Sequence, residues 1–206
     1  DLPRSRGLGD VYKRQALGNY ALNSNTTGEQ NTAIGKDTLL NNTTGNNNTA
    51  VGLDALDANT TAHNNTAVGV ASLGSNTTGI VNVAVGNYAL DANTIGGSNT
   101  AVGYGSLSAN TTASNNSGFG KNALMSNTTA ANNTAVGFES LKANTTGTGN
   151  VAVGASALDA NETGGYNIAI GLNALGANTT SYNLGIGNAA LKVNTSGCLL
   201  YTSDAA

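Results

Sequence analysis

A repeat of seventeen residues is the feature that most constrains the fold of this chain. Glycine recurs every seventeen residues from Gly18 to Gly171, and Gly187 follows after sixteen. One unit reads N-T-A-V-G-x-x-A-L-x-A-N-T-T-G-x-x, and eleven copies are present. A short fixed period indicates stacked units that contact only their neighbours. Seventeen residues are too few for a helix-pair repeat of about 33, so the period favours one coil of a β-solenoid.

The two halves of the unit predict different local structures. The segment N-T-A-V-G ends in Val or Ile before the glycine, with Phe119 as the one exception, and β-branched residues favour a pleated strand. The segment G-x-x-A-L-x-A-N is rich in Ala and Leu, which suits a short helical turn, although a second short strand is an equal alternative. The predicted fold is an all-β repeat solenoid, a parallel β-roll or β-helix of eleven coils.

Three columns of identical residues define the expected structural positions. The corner glycine requires positive φ or close backbone approach, the leucine four residues later points inward, and the asparagine seven residues later stacks its amide on its neighbours. The corner glycines are Gly18, Gly35, Gly52, Gly69, Gly86, Gly103, Gly120, Gly137, Gly154, Gly171 and Gly187. The leucine ladder is Leu22, Leu39, Leu56, Leu73, Leu90, Leu107, Leu124, Leu141, Leu158, Leu175 and Leu191. The asparagine ladder is Asn25, Asn42, Asn59, Asn76, Asn93, Asn110, Asn127, Asn144, Asn161, Asn178 and Asn194, and a further asparagine column runs from Asn31 to Asn183.

Both ends of the chain differ from the repeat. Residues 5–15 and 198–206 match in-frame translations of the two ends of a transposase-type sequencing adapter, so residues 1–15 and 198–206 are expected not to be native. The single Cys198 and the single Pro3 lie in these segments. The native part is then one repeat solenoid, residues 16–197, and a fragment of a longer gene.

Composition argues against catalysis and against several kinds of ligand. Charged residues make up 9% of the chain and the net charge is −3, so there is no basic field for nucleic acid. One Cys and one His, His63, exclude a disulfide framework and a Cys/His metal cage. The acids are scattered without an evident carboxylate pair: Asp54, Asp57, Asp91, Glu139, Asp159 and Glu162. We therefore predict a protein that is not an enzyme, with no cofactor and no catalytic or metal site.

The strand carries apolar residues on both faces, with Ala facing opposite to the Val or Ile column. Strands that are apolar on both faces are usually covered on both. We expect one face to line the coil interior and the other to contact a partner subunit, and a trimer would place the Ala column at the subunit interface.

The tandem N-T-A-V-G-x-x-A motif resembles the head repeats of trimeric autotransporter adhesins (YadA-like heads). The matching strings begin at Asn31, Asn82, Asn150 and Asn167 and end at the following corner glycine. The resemblance implies a left-handed parallel β-roll that trimerises, although the family's common period is shorter. Similar N-T-A-x-G arrays occur in phage-tail-fibre-like and bacterial surface proteins.

These patterns and the resemblance lead to one expected function. It is a structural and adhesive rod, a head or shaft segment of a bacterial surface adhesin or phage tail fibre. We expect a homotrimer outside the cell, on a bacterial surface or virion, that contacts host glycan or matrix weakly and multivalently. We expect no nucleic-acid partner, and any membrane anchor would lie outside this fragment.

Two further features bear on ligands. An alternative function is an ice-binding β-solenoid, in which threonine ladders order water; the ladder is Thr26, Thr43, Thr60, Thr77, Thr94, Thr111, Thr128, Thr145 and Thr179. Aromatic residues also follow several corner glycines, at Tyr20, Tyr88, Tyr104 and Phe138. These rings could stack on sugars or only pad the edge of the coil.

Overall fold

The chain forms one parallel sheet whose twelve strands follow one another in chain order. The computed structural model describes residues 14–196 and the backbone of residues 201–203. The strands are β1 Arg14–Leu17, β2 Asn31–Ile34, β3 Thr49–Val51, β4 Thr66–Val68, β5 Val83–Val85, β6 Thr100–Val102, β7 Ser117–Phe119, β8 Thr134–Val136, β9 Val151–Val153, β10 Ile168–Ile170, β11 Leu184–Ile186 and β12 Tyr201–Ser203. Each strand pairs with the equivalent residues of the next coil, as Ala50 does with Ala67. The predicted β-solenoid is confirmed.

The stack continues into the segments that the sequence assigns to adapters. Strand β1 begins at Arg14, and β12 pairs with β11 through Leu184 and Tyr201. Strand pairing does not distinguish native from adapter-derived sequence, so the adapter origin of these segments and the native boundaries 16–197 stay predictions. Pro3 and Cys198 lie outside the described residues.

The interior of each coil is filled from two sides by small and large side chains. Inward strand positions carry Ala, or Gly at Gly118 and Gly185. The opposite wall contributes the leucine ladder, whose members from Leu39 to Leu175 are fully buried. Leu22 and Leu191 pack against this core at the two ends and are partly buried. The fully buried alanines of the strand column are Ala33, Ala50, Ala67, Ala84, Ala101, Ala135, Ala152 and Ala169.

The expectation that the Ala column forms a subunit interface is wrong. Alanine faces inward, and the Val or Ile column faces outward, with Ile34 and Ile170 each 40% exposed and Phe119 41% exposed. The physical reason is the thinness of the coil: leucine already occupies the interior from the opposite wall, so only a methyl group fits on the strand side at close-packed density.

The segment after the corner glycine is neither a helix nor a strand but a chain of β-turns. In one coil, the amides of Ser72, Gly74 and Asn76 donate to the carbonyls of the residues three positions earlier. Ala71 and Leu73 have φ of 54° and 51°, and positive φ at the third residue of such a turn is typical of type II. A right-handed helical turn is excluded because every second residue lies in the left-handed region.

Alternating turns keep the coils hydrogen-bonded where no strand exists. The amide of Leu73 donates to the carbonyl of Ala89 in the following coil, at 3.0 Å. The amide of Ala71 donates to the carbonyl of Leu53 in the preceding coil, at 2.9 Å. Left-handed backbone costs a non-glycine residue about 1–2 kcal/mol, and burying a leucine contributes roughly 1.5–3 kcal/mol. Burial of leucine therefore offsets the strain at its own position.

Close approach and positive φ together require glycine at the corner. The corner glycines have φ between 126° and 142°. A Cβ added to Gly86 would lie 2.7 Å from the carbonyl oxygen of Gly103 in the next coil. Any side chain would push the coils apart at this edge.

We predict that Val81→Asn stabilises the protein. Val81 is exposed and has a φ of 60°, whereas the equivalent residues of other coils, Asn47, Asn64, Asn115 and Asn132, carry the side chain that best tolerates this conformation. The free energy of unfolding in urea should rise by about 1 kcal/mol. The reverse exchange, Asn64→Val, should lower it by a similar amount, and equal stability of both variants would contradict the strain argument.

Candidate functional site

Two asparagine ladders converge on one carbonyl group in each coil. The side-chain amide of Asn93 donates to Oδ1 of Asn76 at 2.8 Å and to the carbonyl of Gly96 at 3.0 Å. The amide of Asn82, in the second column, donates to the same carbonyl at 2.8 Å. The equivalent pairs recur along the rod, so each such carbonyl accepts two amide donors.

The second column also fixes the start of the next strand. Oδ1 of Asn82 accepts a hydrogen bond from the backbone N–H of Asn99 at 2.9 Å. Both asparagine columns are fully buried through most of the rod. Apart from Oδ1 of Asn161 and Asn183, the buried side-chain atoms of these columns have hydrogen-bond partners in the same or a neighbouring coil, so the columns hold the stack together.

The coil with one residue fewer interrupts the first ladder. Asn178 donates to the carbonyl of Thr180 at 2.8 Å and does not reach Asn161. Oδ1 of Asn161 is buried and has no hydrogen-bond partner among the described residues. The ladder resumes where Asn194 donates to Asn178 at 3.1 Å. A buried acceptor without a partner costs about 1–3 kcal/mol.

We predict that inserting one glycine between Thr180 and Ser181 stabilises the protein. The insertion restores the N-T-T-G-x-x-N spacing, which lets Asn178 donate to Asn161. The free energy of unfolding should rise by about 1–2 kcal/mol, measured by urea denaturation. The matched control inserts a glycine between Thr146 and Gly147, where the spacing is already complete, and should destabilise. A loss of stability at both places would contradict this account of the ladder.

We predict that Asn93→Asp destabilises the protein in a pH-dependent manner. The carboxylate would face two acceptors, Oδ1 of Asn76 and the carbonyl of Gly96, with no proton to donate. The loss at pH 7 should be about 3 kcal/mol. Because the buried carboxyl has a raised pKa in the folded state, the penalty exists above that pKa and fades as the pH falls through it.

The control for this substitution is Asn64→Asp, at an exposed position of the same coil stack. Its stability should differ little from that of the native chain between pH 4 and about 7. Denaturant curves at several pH values distinguish the two, and a pH-independent loss at Asn93 would contradict the ladder's donor direction.

The threonine ladder bonds to the backbone of the following coil. Oγ1 of Thr94 donates to the carbonyl of Thr111 at 3.0 Å, and the other members do the same at 2.9–3.3 Å. The hydroxyl protons of this ladder are therefore engaged and are not available to order water. Ice binding stays a prediction.

The outward side of the sheet is uncharged along its length. We call it the outward sheet face; it consists of Thr32, Thr49, Thr66, Val83, Thr100, Ser117, Thr134, Val151, Ile168 and Leu184, together with Ile34, Val51, Val68, Val85, Val102, Phe119, Val136, Val153, Ile170 and Ile186. These side chains are partly or largely exposed to solvent. Apart from Arg14, which begins β1, the charged side chains of residues 14–196 lie on the turns and loops instead.

Three aspartates lie partly buried in the turns. Burial raises the pKa of Asp57, Asp91 and Asp159 above the usual value, and the charges of Asp54 and Asp37 add to the effect at Asp57. Within residues 14–196 no group of three or more His, Cys, Asp or Glu side chains could hold a metal ion. His63 is exposed, and its Nδ1 accepts a hydrogen bond from the amide of Asn46 at 3.4 Å.

Every aromatic side chain that the structure describes is exposed, by 41–58%, on the surface of the rod. Tyr20, Tyr88, Tyr104 and Phe138 lie beside the corner glycines, as the sequence indicates. Tyr166 and Tyr182 lie outside the repeat columns that predict structure, and their rings stack with centroids 5.3 Å apart. The exposure of Phe119 was not predicted either, although a phenylalanine in an otherwise β-branched column was a signal of an open position.

Comparison of the chain with protein families, curated proteins and solved structures returns no match. In the part of the chain that the structure describes, no helix has the length and hydropathy needed to cross a membrane.

Proposed function

We propose that the chain is a structural and adhesive rod, a head or shaft segment of a bacterial surface adhesin or a phage tail fibre. Its copies associate into a homotrimer through the outward sheet face, outside the cell. The observation that carries the proposal is the continuity of this face, which is apolar or hydroxylated and uncharged from Thr32 to Ile186.

The outward sheet face has the character of an interface between copies. Ten strands from β2 to β11, at about 4.8 Å per strand, give a surface roughly 45 Å long. Val85 and Ile170 are 36% and 40% exposed in the single chain. Large contiguous apolar patches on soluble proteins mark sites of protein association, and an association along this face would cover the second apolar side of every strand.

The hydrogen bonding supports a mechanical role. Backbone pairs, asparagine ladders and threonine hydroxyls all run from coil to coil along the rod axis. Each coil is held by its neighbours through the same set of bonds, so the stack suits a shaft that transmits force and presents repeated side chains. A surface that repeats the same side chains can bind a repetitive partner through many weak contacts at once, so avidity does not require a deep binding pocket.

The repeat motif supports the trimeric form over other assemblies. The N-T-A-V-G strings resemble YadA-like heads, which are trimeric, and the solenoid fold is compatible with that resemblance. The charged residues lie on turns such as those of Lys36, Asp91 and Lys142, which leaves the outward sheet face free of charge repulsion between copies.

We predict that the full chain sediments as a trimer at micromolar concentration under reducing conditions. The double variant Val85→Lys and Val102→Lys should be a folded monomer, because two ammonium groups per copy would be buried without partners. Sedimentation equilibrium measures the mass, and circular dichroism checks the fold.

The matched control carries two lysines at exposed loop positions, Thr78→Lys and Thr112→Lys, and should remain trimeric. A folded monomeric native chain would overturn the assembly proposal. Loss of the trimer in both double variants would show that added charge, and not the outward sheet face, is responsible.

A further inference from the structure

We infer that a strip of exposed side chains beside the corner glycines binds an oligosaccharide that carries carboxylates. The inference rests on the proposed adhesive function and names the ligand class of one place on the rod. The corner strip consists of the residues that directly follow five consecutive corner glycines: Tyr104, Lys121, Phe138, Ala155 and Leu172. Tyr88 lies next to it.

The corner strip exposes a large apolar side chain at every second coil, and two of these three side chains are aromatic rings. Tyr104 is 53% exposed, Phe138 is 49% exposed and Leu172 is 51% exposed. Tyr88 packs edge-on against Tyr104, with ring centroids 5.8 Å apart, which holds the Tyr104 ring in place. Successive positions of the strip are about 4.8 Å apart, a step comparable to the length of one pyranose unit. A linear oligosaccharide laid along the rod would therefore meet one residue of the strip with each sugar.

A notch interrupts the strip at Ala155. This small residue stands between Phe138 and Leu172, whose backbones are two coils apart, or about 9.6 Å. The next residue, Ser156, is also small. Because both side chains are small, the strip is lowest here, between the phenyl group and the leucine. Apolar faces of pyranose rings pack against aromatic side chains, which supply large, rigid contact area.

The cation of the strip is positioned for a carboxylate. Nζ of Lys121 lies 6.0 Å from the centroid of the Phe138 ring, within the range of a cation–π contact. The nearby Glu139 is already paired with Lys142, at 3.0 Å. A hydrogen bond from Lys142 holds the pKa of Glu139 below its usual value, and a hydrogen bond from the Asn122 amide and the positive charges of Lys142 and Lys121 act in the same direction. Among the described residues, no carboxylate lies within 4 Å of the Lys121 ammonium.

The shape of the strip favours a carbohydrate over a protein partner. The strip is one side chain wide, whereas a specific protein interface covers about 800 Å² on each partner. It also lies beyond the corner, off the outward sheet face, so an assembly through that face leaves it accessible. The same position carries Asn in three coils, at Asn19, Asn87 and Asn188, and a second apolar and cationic run at Lys36, Leu53 and Val70. That second run has no aromatic ring, and its lysine is paired with Asp37 at 3.2 Å.

The experiment measures binding of two hexasaccharides to the full chain by saturation-transfer NMR and calorimetric titration. The hyaluronan hexasaccharide alternates glucuronate with N-acetylglucosamine, and chitohexaose contains N-acetylglucosamine without carboxylates. We expect binding of the hyaluronan hexasaccharide with a Kd in the millimolar range or tighter, and at least about tenfold weaker binding of chitohexaose, because a charge-assisted hydrogen bond is lost.

Two substitutions lie in the corner strip and test its role in binding, and a third lies outside it and serves as the control. Lys121→Gln should weaken binding of the hyaluronan hexasaccharide about tenfold and leave chitohexaose unaffected. Ala155→Leu fills the notch with a residue that this column accepts at Leu53 and Leu172, and should weaken binding of the hyaluronan hexasaccharide by a similar factor. The matched control, Val70→Leu, changes the same column outside the strip and should bind as the native chain does.

The outcomes separate this inference from the proposed function. Absence of hyaluronan binding, equal binding of both sugars, or binding that survives Lys121→Gln and Ala155→Leu would each overturn the inference. None of these results changes the mass in solution, so a trimer without sugar binding leaves the rod proposal standing. A monomer whose binding depends on Lys121 and Ala155 would overturn the trimer and retain the sugar site.

Discussion

The buried amide ladder is the interaction on which the rest of this structure depends. Each carbonyl such as that of Gly96 accepts donors from both Asn82 and Asn93, and each Asn93 equivalent also bonds to the coil before it. A primary amide carries donors and an acceptor on one planar group, so one residue type can bond to the coils on both sides. Seventeen residues return the chain to the same amide. The amide contact between Asn161 and Asn178 is lost next to the loop after Asn178 that is one residue shorter, which shows how strictly that length is required.

The ladder allows a backbone that would otherwise be unfavourable. The eleven leucines of the turns have φ between 50° and 54°, a conformation rarely adopted by a branched side chain. Inter-coil hydrogen bonds hold these residues on both sides, and the leucine side chain gains burial in return. The result is a thin coil whose interior contains leucine, alanine and amides, and whose aromatic residues are all outside in the described part of the chain. In the described coils these side chains fill the interior, so the proposed recognition takes place on the outer surfaces.

The outer surfaces differ in chemistry because the turns and the strand face different neighbours. Strand residues alternate strictly, which puts Thr66 and Val68 on one flat, uncharged side. Turn residues project at the corners, where Lys121 and Phe138 contact each other across one coil step. The flat side suits copies of the same chain, and the corner suits a narrow ligand. Separation of the two on one coil would let the proposed assembly and the proposed adhesion coexist along the rod.

Much of the architecture follows from the sequence alone. A fixed period, an unbroken glycine column and identical amides at two positions are sufficient for a parallel β-solenoid, because identical coils can stack in only one register without losing every ladder. The sequence also placed leucine inside and Tyr88, Tyr104 and Phe138 beside the corner. It could not decide which face of the strand was inside, because Ala and Val are both apolar and alternate with the same period. That choice depends on how much space leucine leaves across the coil, which is a property of the packed structure.

The backbone conformation of the turn segment also could not be predicted from the sequence. Local propensity favours helix for Ala and Leu, yet alternate residues such as Ala71 and Leu73 adopt left-handed φ, since only that path returns hydrogen bonds to the coils above and below. The sequence shows that the repeat ending at Asn183 is one residue shorter than the others. It does not show that Oδ1 of Asn161 lacks a hydrogen-bond partner, because that depends on where the amide of Asn178 lies in space. The sequence thus determined the period, the stacking and the identity of the ladders. Tertiary structure decided which apolar column is buried and how the turns are wound, because both depend on contacts between residues seventeen positions apart.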